Sequence, residues 1–182
     1  MRAAIYDTFG NPADVTKLAD VPQPNPGKGE VRIRTILSPI HNHDLWTTRG
    51  SYGYKPTLPA IGGTEAVGTI EAVGDGVDAT MIGKRVAVGG VQGSWAEYFL
   101  APAGGVVPLP EAISDEAAAQ LIAMPFSAIS LLDVLNVKAG DWIVQTAANG
   151  AVGKVLAALT DAHGIHLVNL VRPGRRRKES RD

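Results

Sequence analysis

Ala147, Gly150 and Gly153 form an Ala-x-x-Gly-x-x-Gly run, a spacing whose chemistry is the seating of a dinucleotide pyrophosphate on bare backbone. The small residue at 147 permits a tight turn off a strand. Gly150 lets backbone approach the phosphates, and Gly153 lets the following helix pack against the sheet. The opening of that helix, with Asn149, Ala151 and Val152 between the motif positions, presents free N–H groups and a partial positive charge to the anion. Small residues also recur wherever a helix lies close on a strand, so the surroundings matter. Residues 141–146 read as a buried parallel strand, 154–163 as a helix stopped by Gly164, and 166–171 as a second strand: a βαβ unit. The tip of the second strand selects the cofactor, because an acid there would hold a ribose 2′-hydroxyl and an arginine a 2′-phosphate. The chain has Val171-Arg172 and no acid, which favours NADPH over NADH; alternatively, Arg172 opens a solvated basic tail.

His41, His43 and Asp44 are a second group able to do chemistry. As metal ligands they are poorly spaced, since the following residues read as helix and positions two apart on a helix face away from each other. No metal is expected there. The chain has no cysteine, which excludes disulfides, thiolate nucleophiles and Cys-based zinc sites. A net charge of −1 gives no global pull toward nucleic acid or anionic membrane. From Arg172 onward six basic residues accompany two acids, with no aromatic residue to stack bases, so a solvated tail is favoured over a nucleic-acid contact. The opening residues lack the apolar stretch of a signal peptide, and no apolar run reaches the roughly 18 residues of a transmembrane helix. A soluble cytoplasmic protein without membrane contact is expected.

These groups need a scaffold, and the composition, 45% hydrophobic and 19% charged, supplies a core for one. Residues 2–6, 30–37, 66–73, 85–88 and 95–100 read as short strands separated by glycine-rich turns, the pattern of a small barrel or sandwich. After Pro108-Leu109-Pro110 the texture turns to Ala and Leu. Ser114-Asp115 caps an expected helix over 116–123, and Pro125 starts another that runs to Leu135 with its apolar residues on one face. The expected fold class is therefore a β domain (1–110), then an α/β segment (111–172), then a basic tail (173–182).

Several runs share one pattern: Gly50-Ser51-Tyr52-Gly53, Leu58-Pro59-Ala60-Ile61-Gly62-Gly63-Thr64-Glu65, Gly83-Lys84-Arg85-Val86, Trp95-Ala96-Glu97-Tyr98, and Gly140-Asp141-Trp142 leading into 147–153. Together they resemble the medium-chain dehydrogenase/reductase superfamily, in its zinc-free branch of quinone oxidoreductases and 2-enoyl thioester reductases. The resemblance implies a GroES-like N-terminal domain, a Rossmann domain and an active site in the cleft between them. The places of the family's catalytic zinc ligands fall at His41, Thr64 and a residue near Ile122, which is no zinc set. Hydrogen-bonding roles at the substrate cleft are implied for His41, Asn42 or His43. Tyr52, in its Gly-x-Tyr turn, matches a tyrosine that donates a hydrogen bond or proton to substrate as charge moves onto a carbonyl oxygen. Alternatively it is a surface turn residue like Tyr54.

The implied function is metal-free, NADPH-dependent reduction of an activated C=C bond, in a small-molecule 2-enoyl thioester or enone. Quinone reduction and a non-catalytic nucleotide-binding remnant are the alternatives. Complete members carry a Rossmann domain of about six strands, and this chain stops after the second. A truncated or frame-shifted product, or a fragment, is expected, with self-association through the incomplete sheet edge.

Overall fold

A computed structural model describes residues 1–172; the expected basic tail, 173–182, lies outside the described residues. The chain divides into two compact units, Met1–Ala123 and the residues from Met124 onward. The first contains β1 (Arg2–Tyr6), α1 (Pro12–Val15), β2 (Lys17–Asp20), β3 (Glu30–Leu37), α2 (Asn42–Thr48), β4 (Ala60–Ile61), β5 (Glu65–Val73), β6 (Arg85–Gly89), β7 (Tyr98–Pro102), β8 (Val107–Pro108) and α3 (Asp115–Ala118). Apolar residues at alternate positions give β3 a face to bury, and β5 buries Ala66 and Ile70 on that side and Val67 on the other. The two strands lie side by side in an antiparallel five-stranded sheet, order β7-β3-β5-β6-β8, and β2-β1-β4 form a second sheet. Val31, Ile33, Ala66, Ile70, Val86, Val88 and Phe99 meet in the core.

The first unit continues past Pro110, where the sequence reading ended its β domain. Ala118 and Ala119 are buried against Val67 of β5 beside Leu109 and Ile113. Arg85 donates to the Asp115 carboxylate at 2.8 Å and to the Ile113 carbonyl at 2.6 Å. The helix expected over 116–123 is cut to the single turn of α3, capped as expected by Ser114, whose hydroxyl accepts from the Ala117 N–H. Continuing it would require the Ile122 and Ala123 N–H groups to bond the carbonyls four residues back. Both instead donate to the Glu65 carboxylate.

The second unit holds α4 (Ala123–Leu135, which starts on the last residue of the first unit), β9 (Trp142–Gln145), α5 (Ala151–Ala162) and β10 (His166–Asn169). β9 and β10 pair in parallel, Trp142 opposite His166 through Gln145 opposite Asn169, which is the expected βαβ unit. Gly164, in a left-handed conformation, stops α5, and the Ile165 N–H bonds back to the Thr160 carbonyl, a Schellman-type ending. Ile143, Leu156, Ile165 and Ala128 form this unit's core. Three expectations are corrected. The strand at 95–100 begins only at Tyr98, because Trp95 and Ala96 bond outward to the β1 sheet. β9 is not buried on both faces, since Trp142 and Val144 stay 70% and 65% exposed. The apolar residues of α4 are not confined to one face either: Phe126, Ile129, Leu131 and Val134 are exposed while Ala128 is buried.

Ile70 has no exposed surface and packs in the first unit's core with Val31, Ile33 and Phe99 among its members. Ile70→Ala should lower stability by about 2–5 kcal/mol, read as a reduced urea midpoint with an unchanged slope.

Candidate active site

The start of α2 and the start of β5 bring five polar side chains together inside the first unit. His41 precedes α2 with extended backbone, so its own N–H is free to meet the Asp44 carboxylate, 2.9 Å away at the helix's third position. The other Asp44 oxygen accepts from the Thr64 hydroxyl at 2.7 Å. Thr64 Oγ1 lies 2.8 Å from His43 Nε2. Glu65, next along the chain, is fully buried; one of its oxygens lies 2.6 Å from His41 Nε2, and the other accepts from the N–H groups of Ile122 and Ala123 at 2.7 and 3.0 Å. Burying two carboxylates is tolerable because each is surrounded by donors.

The divergence expected of His41 and His43 is overturned. Their rings stack at 5.1 Å, because His41 lies outside the helix and is not bound by helical spacing. The Tyr52 ring follows at 5.9 Å from His43 and is partly exposed. Asn42 is exposed at the first position of α2, and the structure does not bring it into the network. Beneath this group Tyr6 is buried close to Thr48, and burial, with the charges of Tyr54 and Asp44 adding to it, pushes its phenol pKa up. A shallow apolar groove of about 590 Å³ runs past Leu18, Ile40 and Trp95, and none of the network's titratable groups lines it.

At the three places corresponding to zinc ligands, the His41 ring nitrogen is committed to Glu65, Thr64 to Asp44 and His43, and the Ile122 side chain has no donor atom. Such a set does not fit a tetrahedral zinc centre. Among the described residues no three His, Asp, Glu or Cys side chains are grouped to hold a metal ion.

The second unit carries the motif residues. Ala147 adopts a left-handed φ of 54°, unusual for a residue with a Cβ, and its carbonyl accepts from the Gly150 N–H at 2.8 Å. Gly150 caps α5, which begins at Ala151, three residues earlier than the expected 154. Ala151, Val152 and Gly153 are therefore the first helical residues, whose N–H groups have no carbonyl within the helix to bond. A Cβ on Gly153 would lie 2.8 Å from the Ala148 Cα and carbonyl oxygen, so glycine is required for α5 to sit this close. The Gln145 amide ties the Gly153 carbonyl to the Asn169 side chain at 3.0 and 2.6 Å. An open cavity of about 780 Å³ is lined by Thr146, Ala147, Asn149, Gly150, Leu170, Val171 and Arg172. Small residues and backbone from the turn at 146–150, the Arg172 guanidinium among the lining and the opening amides of α5 following directly on Gly150 are groups that suit a phosphorylated ligand.

Residues 27–111 match the alcohol dehydrogenase GroES-like domain. Mitochondrial enoyl-[acyl-carrier-protein] reductases of Xenopus tropicalis and Caenorhabditis elegans are 32% and 34% identical over 94% of the chain. The quinone oxidoreductase of Pseudomonas syringae superposes with a TM-score of 0.85 at 32% identity over 93% of the chain and 52% of its own. That of Escherichia coli, solved with NADPH, superposes with a TM-score of 0.88 at 26% identity over 96% of the chain and 53% of its own. The chain belongs to the medium-chain dehydrogenase/reductase family. It spans about half the length of the curated relatives it matches. The GroES-like domain of this family is the β-rich first unit, and the βαβ unit is the opening of its Rossmann domain. No helix among the described residues is long and apolar enough to cross a membrane.

Sequence reasoning missed Glu65 and Gln145 as parts of these sites, weighed Asp44 only as a metal ligand and met Thr64 only as the residue at a zinc ligand's place. One signal was present for Glu65, an acid immediately ahead of the apolar run Ala66-Val67. Replacing Glu65 by Leu strands two backbone N–H groups and an imidazole, and should cost about 3 kcal/mol or more in denaturant unfolding. Glu65→Gln keeps an acceptor for the two N–H groups and can donate to His41 after a tautomer change, so it should cost clearly less.

Proposed function

We propose that this chain is the catalytic-domain and cofactor-cradle portion of an NADPH-dependent reductase that reduces an activated C=C bond, in a 2-enoyl thioester or enone, without zinc. The observation that carries the reading is the presence in one chain of a dinucleotide cradle lined by Arg172 and of a polar cluster in which Tyr52 neighbours His43 and His43 meets Thr64. Bound NADPH would supply a hydride to the β-carbon. The amides at 151–153 would receive the pyrophosphate, and Arg172 would meet the 2′-phosphate. Charge then collects on the substrate oxygen, where the Tyr52 hydroxyl donates a hydrogen bond. The partly exposed ring leaves that hydroxyl available, and it bonds to no described residue.

Quinone reduction is the second reading, favoured by the quinone oxidoreductases among the solved structures. The same reading keeps the chain in the cytoplasm, although the enoyl reductases it resembles are mitochondrial by name. It also includes self-association: among the described residues β9 and β10 pair only with each other, leaving a strand edge on each side. The division proposed for the whole chain keeps 173–182 as a basic tail.

Calorimetric titration of the chain should show NADPH binding more tightly than NADH, and Arg172→Glu should remove the preference, weakening NADPH by about tenfold or more. Equal binding of both cofactors would contradict the role of Arg172, and binding of neither would contradict the cradle. Tyr52→Phe should lower turnover about a hundredfold while leaving NADPH affinity unchanged; an unchanged rate removes Tyr52 from the chemistry.

A further inference from the structure

Reduction of a C=C bond or a quinone by NADPH consumes one proton beyond the hydride, and the network around Asp44 contains a group placed to give it. The Thr64 hydroxyl has a single hydrogen. It lies 2.7 Å from Asp44 Oδ1 and 2.8 Å from His43 Nε2. A carboxylate oxygen is an acceptor only, so the hydroxyl hydrogen goes to Asp44 and its lone pair faces His43. The imidazole must then donate from Nε2. The reverse arrangement would set the hydroxyl oxygen against the buried carboxylate with no hydrogen between them. Asp44 has no freedom to turn away, since its other oxygen holds the His41 N–H and it is 3% exposed.

We infer that His43 is the proton donor of the reductase, held by Asp44 and Thr64 with Nε2–H turned inward and Nδ1 left to exchange a proton with substrate and water. The inference rests on the reductase reading and adds the residue that completes its proton balance. Nδ1 has no hydrogen-bond partner among the described residues, and the side chain is 25% exposed. The His43 ring is also the one that neighbours Tyr52. His41, by contrast, is closed off by Glu65. Around the His43 ring the titratable groups are Asp44 at 3.5 Å, His41 stacked on one side, Tyr52 beyond the helix, and Glu65 behind His41.

The balance is simple. Hydride addition forms a C–H bond and pushes the C=C electron pair onto the carbonyl as an enolate. The Nδ1–H bond of the His43 imidazolium then breaks as the enolate takes that proton, leaving a neutral ring with its remaining hydrogen on Nε2. Water returns a proton to Nδ1. For a quinone, hydride and proton together give the hydroquinone. Asp44 and Thr64 touch no substrate in this scheme; they are positioning residues that set which nitrogen is available.

Nitrogen NMR of the ¹⁵N-histidine-labelled full chain tests the inference without cofactor or substrate. At alkaline pH the neutral His43 ring should show a protonated Nε2 and a bare Nδ1. Thr64→Val should mix the two tautomers and Thr64→Ser should restore the single one. A protonated Nδ1 in the unaltered chain, or no change in Thr64→Val, overturns the positioning. In NADPH oxidation assays, His43→Gln should slow turnover about a hundredfold or more, and an unchanged rate overturns the donor role. A chain with the expected tautomer that never oxidises NADPH loses the donor role together with the reductase reading, whereas the wrong tautomer removes the donor role alone.

Discussion

A carboxylate removed from water must be met by donors on nearly every lone pair, and the Glu65 side chain, with no exposed surface, imposes that demand on its surroundings. His41 and the N–H groups of Ile122 and Ala123 answer it. Three segments distant in sequence are thereby held at one point: the cap of α2, the start of β5 and the close of the first unit. Much else follows. Past α3 the amides of Gln120 and Leu121 bond only three residues back, to Ala117 and Ala118, and those of Ile122 and Ala123 turn to Glu65. The His41 ring is pulled inward and turned so that His43 stacks on it. Thr64, one residue before Glu65, is carried to the Asp44 carboxylate.

A buried acid at this point offers negative charge that a cation could balance. Here the balance comes from an imidazole and two backbone amides, so no ion is needed to satisfy it. The neighbouring position carries a hydroxyl, which serves as a bridge between Asp44 and His43 rather than as a ligand. In the second unit the logic is the reverse, with donors left unmet. α5 starts at Ala151 on a capping glycine, and its first amides have no partner in the helix; an anionic ligand is what such an end accommodates.

Where local rules govern, the fold was legible in the residues. The strands at 2–6 and 30–37 follow from alternation bounded by turn residues, and their limits agree with the structure. The βαβ unit follows from two β-branched runs around a small-residue turn. The tight turn and helix start at 147–153 were legible for the same reason, since their motif is contiguous. The buried polar network was not, because Asp44, Thr64, Glu65 and Ile122 are joined only by the tertiary fold and no spacing announces them. The helix over 116–123 stops short for a related reason: its last two amides, of Ile122 and Ala123, go to the distant Glu65 carboxylate rather than to carbonyls four residues back. The burial of β9 was overestimated because an apolar run resembles a doubly covered strand, whereas the described residues cover only the face on Ile143, against Ala128 and Leu156.

The central claim is that these two units do NADPH-linked reduction with side chains and no metal. It is tested most directly by following NADPH absorbance with the chelator-treated full chain, supplied in turn with a 2-enoyl thioester, an enone and a quinone. The account predicts oxidation of NADPH that chelator does not abolish, in step with loss of one of these substrates. No oxidation with any of them, or oxidation that returns only when zinc is added, would contradict it.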